Sequence, residues 1–149
     1  MRAVLQRVRS ASVTVDDACI ASMDGGILAL VGVGHEDGPE DAEDLARKIV
    51  HLRIFADEEG RMNRSLLETG GTLGVVSQFT LFGDARKGRR PSYVEAARPE
   101  SAAPLVEAVA AAARELGVRV VTGRFRASME VALVNDGPVT ILLDTRRTF

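Results

Sequence analysis

The sequence predicts an α+β fold: one curled, mixed or antiparallel β-sheet, barrel-like, carrying two main helices in a single domain over residues 1–149. Three observations point there. Ala11, Val13 and Val15 alternate with Ser12, Thr14 and Asp16 at the period of a half-buried strand. Ile27–Val33 (ILALVGV) is apolar almost throughout, as expected of a central strand covered on both faces. Two stretches, around Leu45 and around Val109, repeat apolar residues at helical spacing instead.

The elements follow in chain order. Met1–Val8 reads as a strand, and Asp16-Asp17 turns the chain after Val15. Cys19–Met23 is a short strand, and Asp24-Gly25-Gly26 is hairpin-turn chemistry leading into Ile27–Val33. The acidic loop from His35 holds Gly38-Pro39 and enters a helix marked by Leu45, Ile49 and Leu52. Arg53–Ala56 extends before a turn at Asp57–Gly60, and Arg61–Leu67 is a connector without a clear assignment. Thr72–Phe82 (TLGVVSQFTLF) carries strand-prone Val75, Val76, Phe79 and Leu81, broken by the short polar side chains of Ser77, Gln78 and Thr80. Ser101 reads as a helix N-cap with Pro104 in the first turn, and Leu105, Val109, Ala112 and Leu116 form one stripe. Gly117 ends that helix. The alanines of Ala108–Ala113 suit close packing. Val118–Gly123, Ser128–Val134 and Val139–Asp144 complete eight or nine strands.

Composition narrows the function classes. A hydrophobic share of 46% with 27% charged residues is ordinary for a water-soluble domain, and a net charge of −2 gives no global pull toward nucleic acid. Any RNA contact must come from a local patch, and DNA is not expected as a partner. One such patch is Arg86, Lys87, Arg89 and Arg90, four cations in five positions, which suits either a solvated loop or a clamp on RNA phosphates. Cys19 is the only cysteine, so no internal disulfide forms, and a reducing compartment fits. No run resembles a leader or a membrane span, so the cytoplasm is the expected location and no membrane partner is expected. His51 has no second ligand at metal spacing, Gly32 and Gly34 lack a following helix motif for a phosphate loop, and no metal or cofactor is expected.

Two motifs remain. The row Ser77, Gln78 and Thr80 reads either as structural hydroxyls and an amide or as a functional row. Ser77 or Thr80 could serve as the nucleophile of an esterase, but neither histidine has a sequence context beside them, and a hydroxyl without a base attacks poorly at neutral pH. Main-chain N–H and C=O groups are then the better-supported catalytic apparatus. The second motif is Asn135-Asp136-Gly137-Pro138, strong turn chemistry between two strands, with an X-Pro bond of the kind that adopts cis.

Together SQFTL (Ser77–Leu81) and NDGPVT (Asn135–Thr140) resemble the two motifs of the D-aminoacyl-tRNA deacylase family. RVRSASVTV, KIVHLRIFADEEGRMNRS and RKGRRPSYVEAA extend the resemblance over almost the whole chain. It implies a homodimer that hydrolyses the ester of D-aminoacyl-tRNA, and of glycyl-tRNA mischarged on tRNA(Ala), at the 3′ end, and spares L-aminoacyl-tRNA. It implies that main-chain groups of Ser77, Gln78, Phe79 and Thr80 hold the scissile carbonyl and adenosine. A cis Gly137-Pro138 bond would enter the other subunit's pocket, Arg7 would brace its loop, and Phe125 and Met129 would line the pocket. Arg126 stands where many members carry a small residue.

Overall fold

The computed structural model describes residues 1–149. Its spine is β1 (Arg2–Val15), a single strand where the sequence suggested two. Ala3 and Leu5 face the helices, whereas Val8, Ala11 and Val13 line the inside of the curl. Strict alternation would place Leu5 and Ala11 on one face. A register shift between Val8 and Ser10 inserts an extra residue and resets the phase, so one strand serves two layers.

Asp16 and Asp17 turn the chain with φ of 48° and 63°, a left-handed pair suited to a tight hairpin. β2 (Ala18–Met23) then returns along the second half of β1. β3 (Gly26–Gly32) pairs antiparallel with the first half and is buried along nearly its whole length, as its apolar run predicts. Chain crossing behind the sheet forms α1 (Pro39–His51), the short ladder of β4 (Phe55–Ala56) with β5 (Met62–Arg64), and α2 (Leu66–Thr69). β6 (Thr72–Ser77) lies parallel to β3. Gly26 makes that pairing possible, because a Cβ there would sit 1.8 Å from the Thr72 carbonyl oxygen.

α3 (Pro99–Glu115) makes the next crossover to β7 (Arg119–Thr122), parallel to β6, and β8 (Glu130–Asp144) returns antiparallel along all of β1. The order β2-β1-β3-β6-β7, with β8 on β1, is a mixed sheet, and β2 comes back into contact with β7, so the sheet is nearly a closed barrel. The helices number three rather than two, α2 being a single turn. α1 and α3 pack on each other and on the outer face of the sheet. Ala42, Ala46, Ala110 and Ala113 are wholly buried there with Ile49 and Val109, the alanines letting the two helices approach closely. Each fully buried Ile or Leu contributes about 1.5–3 kcal/mol. No helix is long and apolar enough to cross a membrane.

Four local expectations need correction. The strand expected over Thr72–Phe82 stops at Ser77, and Phe79–Phe82 forms one 3-10 turn, because the parallel partner β3 runs out opposite Ser77. α3 starts at Pro99, not at Ser101. Arg98 is its cap, and proline at the first position gives up an N–H that the turn leaves unpaired anyway. Its buried stripe is Ala102, Val109, Ala110 and Ala113, since α3 turns its alanines toward α1; Leu105 and Ala112 are half-buried and Leu116 lies past the end. Leu52 lies beyond the end of α1 in extended backbone, so the helical repeat ends at Ile49.

Candidate active site

Three parallel strands point their carboxyl ends at one place. Val31 from β3 and Val33 just past its end, Val76 and Ser77 from β6, and Phe125 and Met129 from the chain after β7 line a cleft of about 640 Å³. Ends of neighbouring parallel strands are where open sheets with crossover helices leave a crevice. Ala97, Pro99, Ala102 and Val106 close its far wall, while Arg98 and Arg126 add two cations. Arg126 is held there with φ of 65°. The lining contains no histidine, cysteine, aspartate or glutamate. His35 bonds the Val94 carbonyl at 2.6 Å and lines a separate crevice with Asp37 and Asp144, and His51 is exposed on α1.

The polar edge of the cleft is the junction between β6 and the 3-10 turn. The Gln78 N–H continues the ladder by donating to Val31 at 2.7 Å. The first bond of the turn runs from the Leu81 N–H to the Gln78 carbonyl at 3.2 Å. The N–H groups of Phe79 and Thr80 therefore precede the bonded part of the turn and have no acceptor within it. Ser77, Gln78 and Phe79 line the cleft, whereas Thr80 is exposed outside it, its hydroxyl accepting a hydrogen bond from the Gln78 side-chain amide.

The second motif lies elsewhere on the protomer. β8 pairs with Gln6 at Thr140 and with Val8 at Asn135, so Asp136–Val139 bulge out of the ladder. Two side chains hold the bulge. The Asn135 amide accepts from the Val139 N–H at 2.7 Å and donates to the Val139 carbonyl at 3.1 Å, closing the base as a strand neighbour would. Arg7 donates from Nε to the Asp136 carbonyl at 2.8 Å and from a terminal nitrogen to the Ile54 carbonyl at 2.6 Å. It thereby ties the bulge to the chain leaving α1. Gly137 has φ of 146°, and a Cβ there would meet the Val139 side chain at 2.7 Å and the Val139 nitrogen at 2.9 Å. The Gly137-Pro138 peptide is cis. Neither residue lines the cleft of its own chain.

The basic loop is anchored by paired backbone bonds between Asp84 and Ser92 at 2.8 and 2.9 Å. Arg86 folds back on Asp84 through two bonds of 2.8 and 2.7 Å, which lowers the Asp84 pKa well below the usual carboxylate range. Lys87, Arg89 and Arg90 form no ion pair and stay exposed. The structure thus separates Arg86, engaged within its own loop, from the other three cations.

Sequence reading missed Asn135 as the clamp of the bulge, Arg98 as part of the lining, and Tyr93, which stacks edge-on against Phe79 at the rim. An Asn four residues before a strand restart was the available signal for the first; Arg98 and Tyr93 carry none.

The chain is similar to known proteins over nearly its whole length. The family model for D-Tyr-tRNA(Tyr) deacylase matches residues 4–144. A D-aminoacyl-tRNA deacylase of Thermomicrobium roseum is 61% identical over 145 residues, 97% of this chain and 94% of that one. That of Anaeromyxobacter dehalogenans is 58% identical with both chains covered in full. Among solved structures, a c-Myc DNA unwinding element binding protein superposes with a TM-score of 0.91 at 38% identity, covering 97% of this chain and 99% of its own. A probable eukaryotic D-amino acid tRNA deacylase gives 0.78 at 18% identity over 95% and 97%, a likeness of fold. This chain belongs to the D-aminoacyl-tRNA deacylase family.

Proposed function

We propose that the chain hydrolyses the ester between a D-amino acid and the terminal adenosine of tRNA, as a homodimer whose site is built from main-chain atoms. The carrying observation is a cleft with no side-chain base or carboxylate in it, edged by a strand end whose next two N–H groups are free of the turn that follows. Preorganised N–H donors suit the oxyanion of ester cleavage. Water attacks the carbonyl carbon with the ribose 2′-hydroxyl assisting, the ester C–O bond breaks, and the proton passes to the leaving ribose oxygen. Free D-amino acid and tRNA result.

The chirality test falls to Gly137 and Pro138 of a second copy. Their absence from the cleft lining of their own chain, and the Asn135 and Arg7 ties that present the bulge, support delivery in trans. So does β8, which is paired only with β1 and exposes Val134 and Leu142, since a long unpaired edge favours association. In the dimer the Gly137 and Pro138 carbonyls accept from the substrate α-ammonium and leave no room for an L side chain. Backbone atoms ignore side-chain identity, so many D-amino acids qualify. Glycine, with no side chain to exclude, passes too, which makes glycyl-tRNA a second substrate. Phe125 and Met129 wall the adenosine, and Lys87, Arg89 and Arg90 meet phosphates in a cytoplasmic tRNA enzyme.

Purified protein given D-tyrosyl-tRNA and L-tyrosyl-tRNA separately tests this reading. Release of D-tyrosine alone is expected. Hydrolysis of neither, or of both at equal rates, refutes it.

A further inference from the structure

A substrate larger than one nucleoside must leave the cleft across its rim, and the rim is aromatic. Phe79 and Tyr93 both line the opening, with ring centroids 5.1 Å apart and planes at 68°. They stay 58% and 40% exposed, although the chain has only five phenylalanines and one tyrosine to place. An edge-to-face pair leaves one broad ring face open to a third flat partner.

Charge around the pair runs one way. Arg98 and Arg126 line the cleft on the inner side. Tyr93 directly follows Ser92, whose bonds with Asp84 close the stem of the basic loop, so Lys87, Arg89 and Arg90 hang from the aromatic pair on the outer side. Asp84 is neutralised by Arg86, and Glu95 lines the other crevice with His35 and Arg146. Flat exposed rings between cations are how proteins hold unpaired nucleotides without reading their sequence.

We infer that Phe79 and Tyr93 form a stacking platform for the base that precedes the terminal adenosine, so that the chain grips at least two nucleotides of its substrate's single-stranded 3′ end. The inference rests on the deacylase reading and adds a positioning residue, Tyr93, which takes no part in bond cleavage.

Two small esters separate the roles: D-tyrosyl-adenosine, which has no preceding base, and D-tyrosyl-cytidylyl-adenosine, which has one. With the wild-type protein the added nucleotide should raise kcat/KM, mostly through KM. Tyr93→Ala should lose roughly 5- to 150-fold on the dinucleotide ester, the range of one base–aromatic stack, and nothing on the adenosine ester. Tyr93→Phe should keep the gain. A non-hydrolysable amide analogue with 2-aminopurine as the preceding base should be quenched on binding wild type but not Tyr93→Ala. Equal losses on both esters, a gain that survives in Tyr93→Ala, or a Tyr93→Ala protein whose sedimentation mass falls would overturn the platform, the last by assigning the ring to contact between copies. Failure of the wild type on both esters would instead bring down the deacylase reading on which the platform rests.

Discussion

Arg7 is the most informative single residue to remove, because it spans two segments far apart in sequence. Arg7→Ala deletes both hydrogen bonds, to the Asp136 and Ile54 carbonyls. Ile54 is only 5% exposed, so its carbonyl loses a charged donor with little water to replace it. That costs about 1–3 kcal/mol. The Asp136 carbonyl lies in an exposed contact that water can satisfy, and it adds less than about 1 kcal/mol. A total near 2 kcal/mol lowers the melting temperature of a chain this size by roughly 4–8 °C. Activity should fall further than stability. A displacement of the bulge by about 1 Å can cost around a hundredfold in rate when geometry carries the chemistry. Arg7→Lys should be intermediate, since one ammonium replaces a fork that reaches two carbonyls. Thermal unfolding and D-tyrosyl-tRNA turnover, measured below the melting point of each variant, give both numbers. An Arg7→Ala protein with wild-type melting and wild-type turnover would refute the bracing role.

Three further outcomes are expected. Gly137→Ala should lose about 1–3 kcal/mol of stability in denaturant titration and most turnover, because φ of 146° and a Cβ 2.7 Å from the Val139 side chain strain any larger residue. Burial raises the Asp144 pKa, but the Thr148 hydroxyl and the N–H groups of Arg146 and Thr148 outweigh it, and the net shift is downward; burial likewise raises the Asp41 pKa, and the Gly38 N–H, the Thr145 hydroxyl and the positive charges of the amino terminus and Arg146 together lower it. Both groups therefore add stability that is complete above the unfolded carboxylate range and is lost as pH falls through the lower folded values, so Asp144→Asn should flatten the acid side of a melting-temperature profile. Replacing Lys87, Arg89 and Arg90 together by alanine should reduce the slope of log affinity for tRNA against log salt by about two to three, without shifting hydrolysis of D-tyrosyl-adenosine.

Much of this was legible in residues alone, and the misses share a cause. β3 could be read because its whole length is apolar, and the β1–β2 hairpin because Asp16-Asp17 is local turn chemistry; the hairpin expected at Asp24-Gly25-Gly26 does not form, because β2 and β3 each pair with a different half of β1 rather than with each other. Phe79–Phe82 looked like strand because FTLF is strand-prone, and only the end of its partner β3 makes it turn. The same holds for α3, where facing α1 selects alanines over leucines. Arg61–Leu67 was less hidden: Ser65 caps α2 by accepting from the Glu68 N–H, a Ser-x-x-Glu pattern open to view. At the site, it is the structure that brings Ser77–Phe79, Phe125 and Met129 to one cleft and leaves Thr80, Gly137 and Pro138 out of its lining. Tyr93 and Arg98 could not be found from the motifs, because their neighbours at the rim come from tertiary contact alone.

The central claim is that main-chain groups, not a side-chain nucleophile, break the ester. Turnover of D-tyrosyl-tRNA by the Ser77→Ala, Thr80→Ala double variant tests it most directly. A rate within a few-fold of wild type is expected, since the Phe79 and Thr80 N–H donors survive the change. Complete loss of hydrolysis in a variant with unchanged melting and oligomeric state would contradict it.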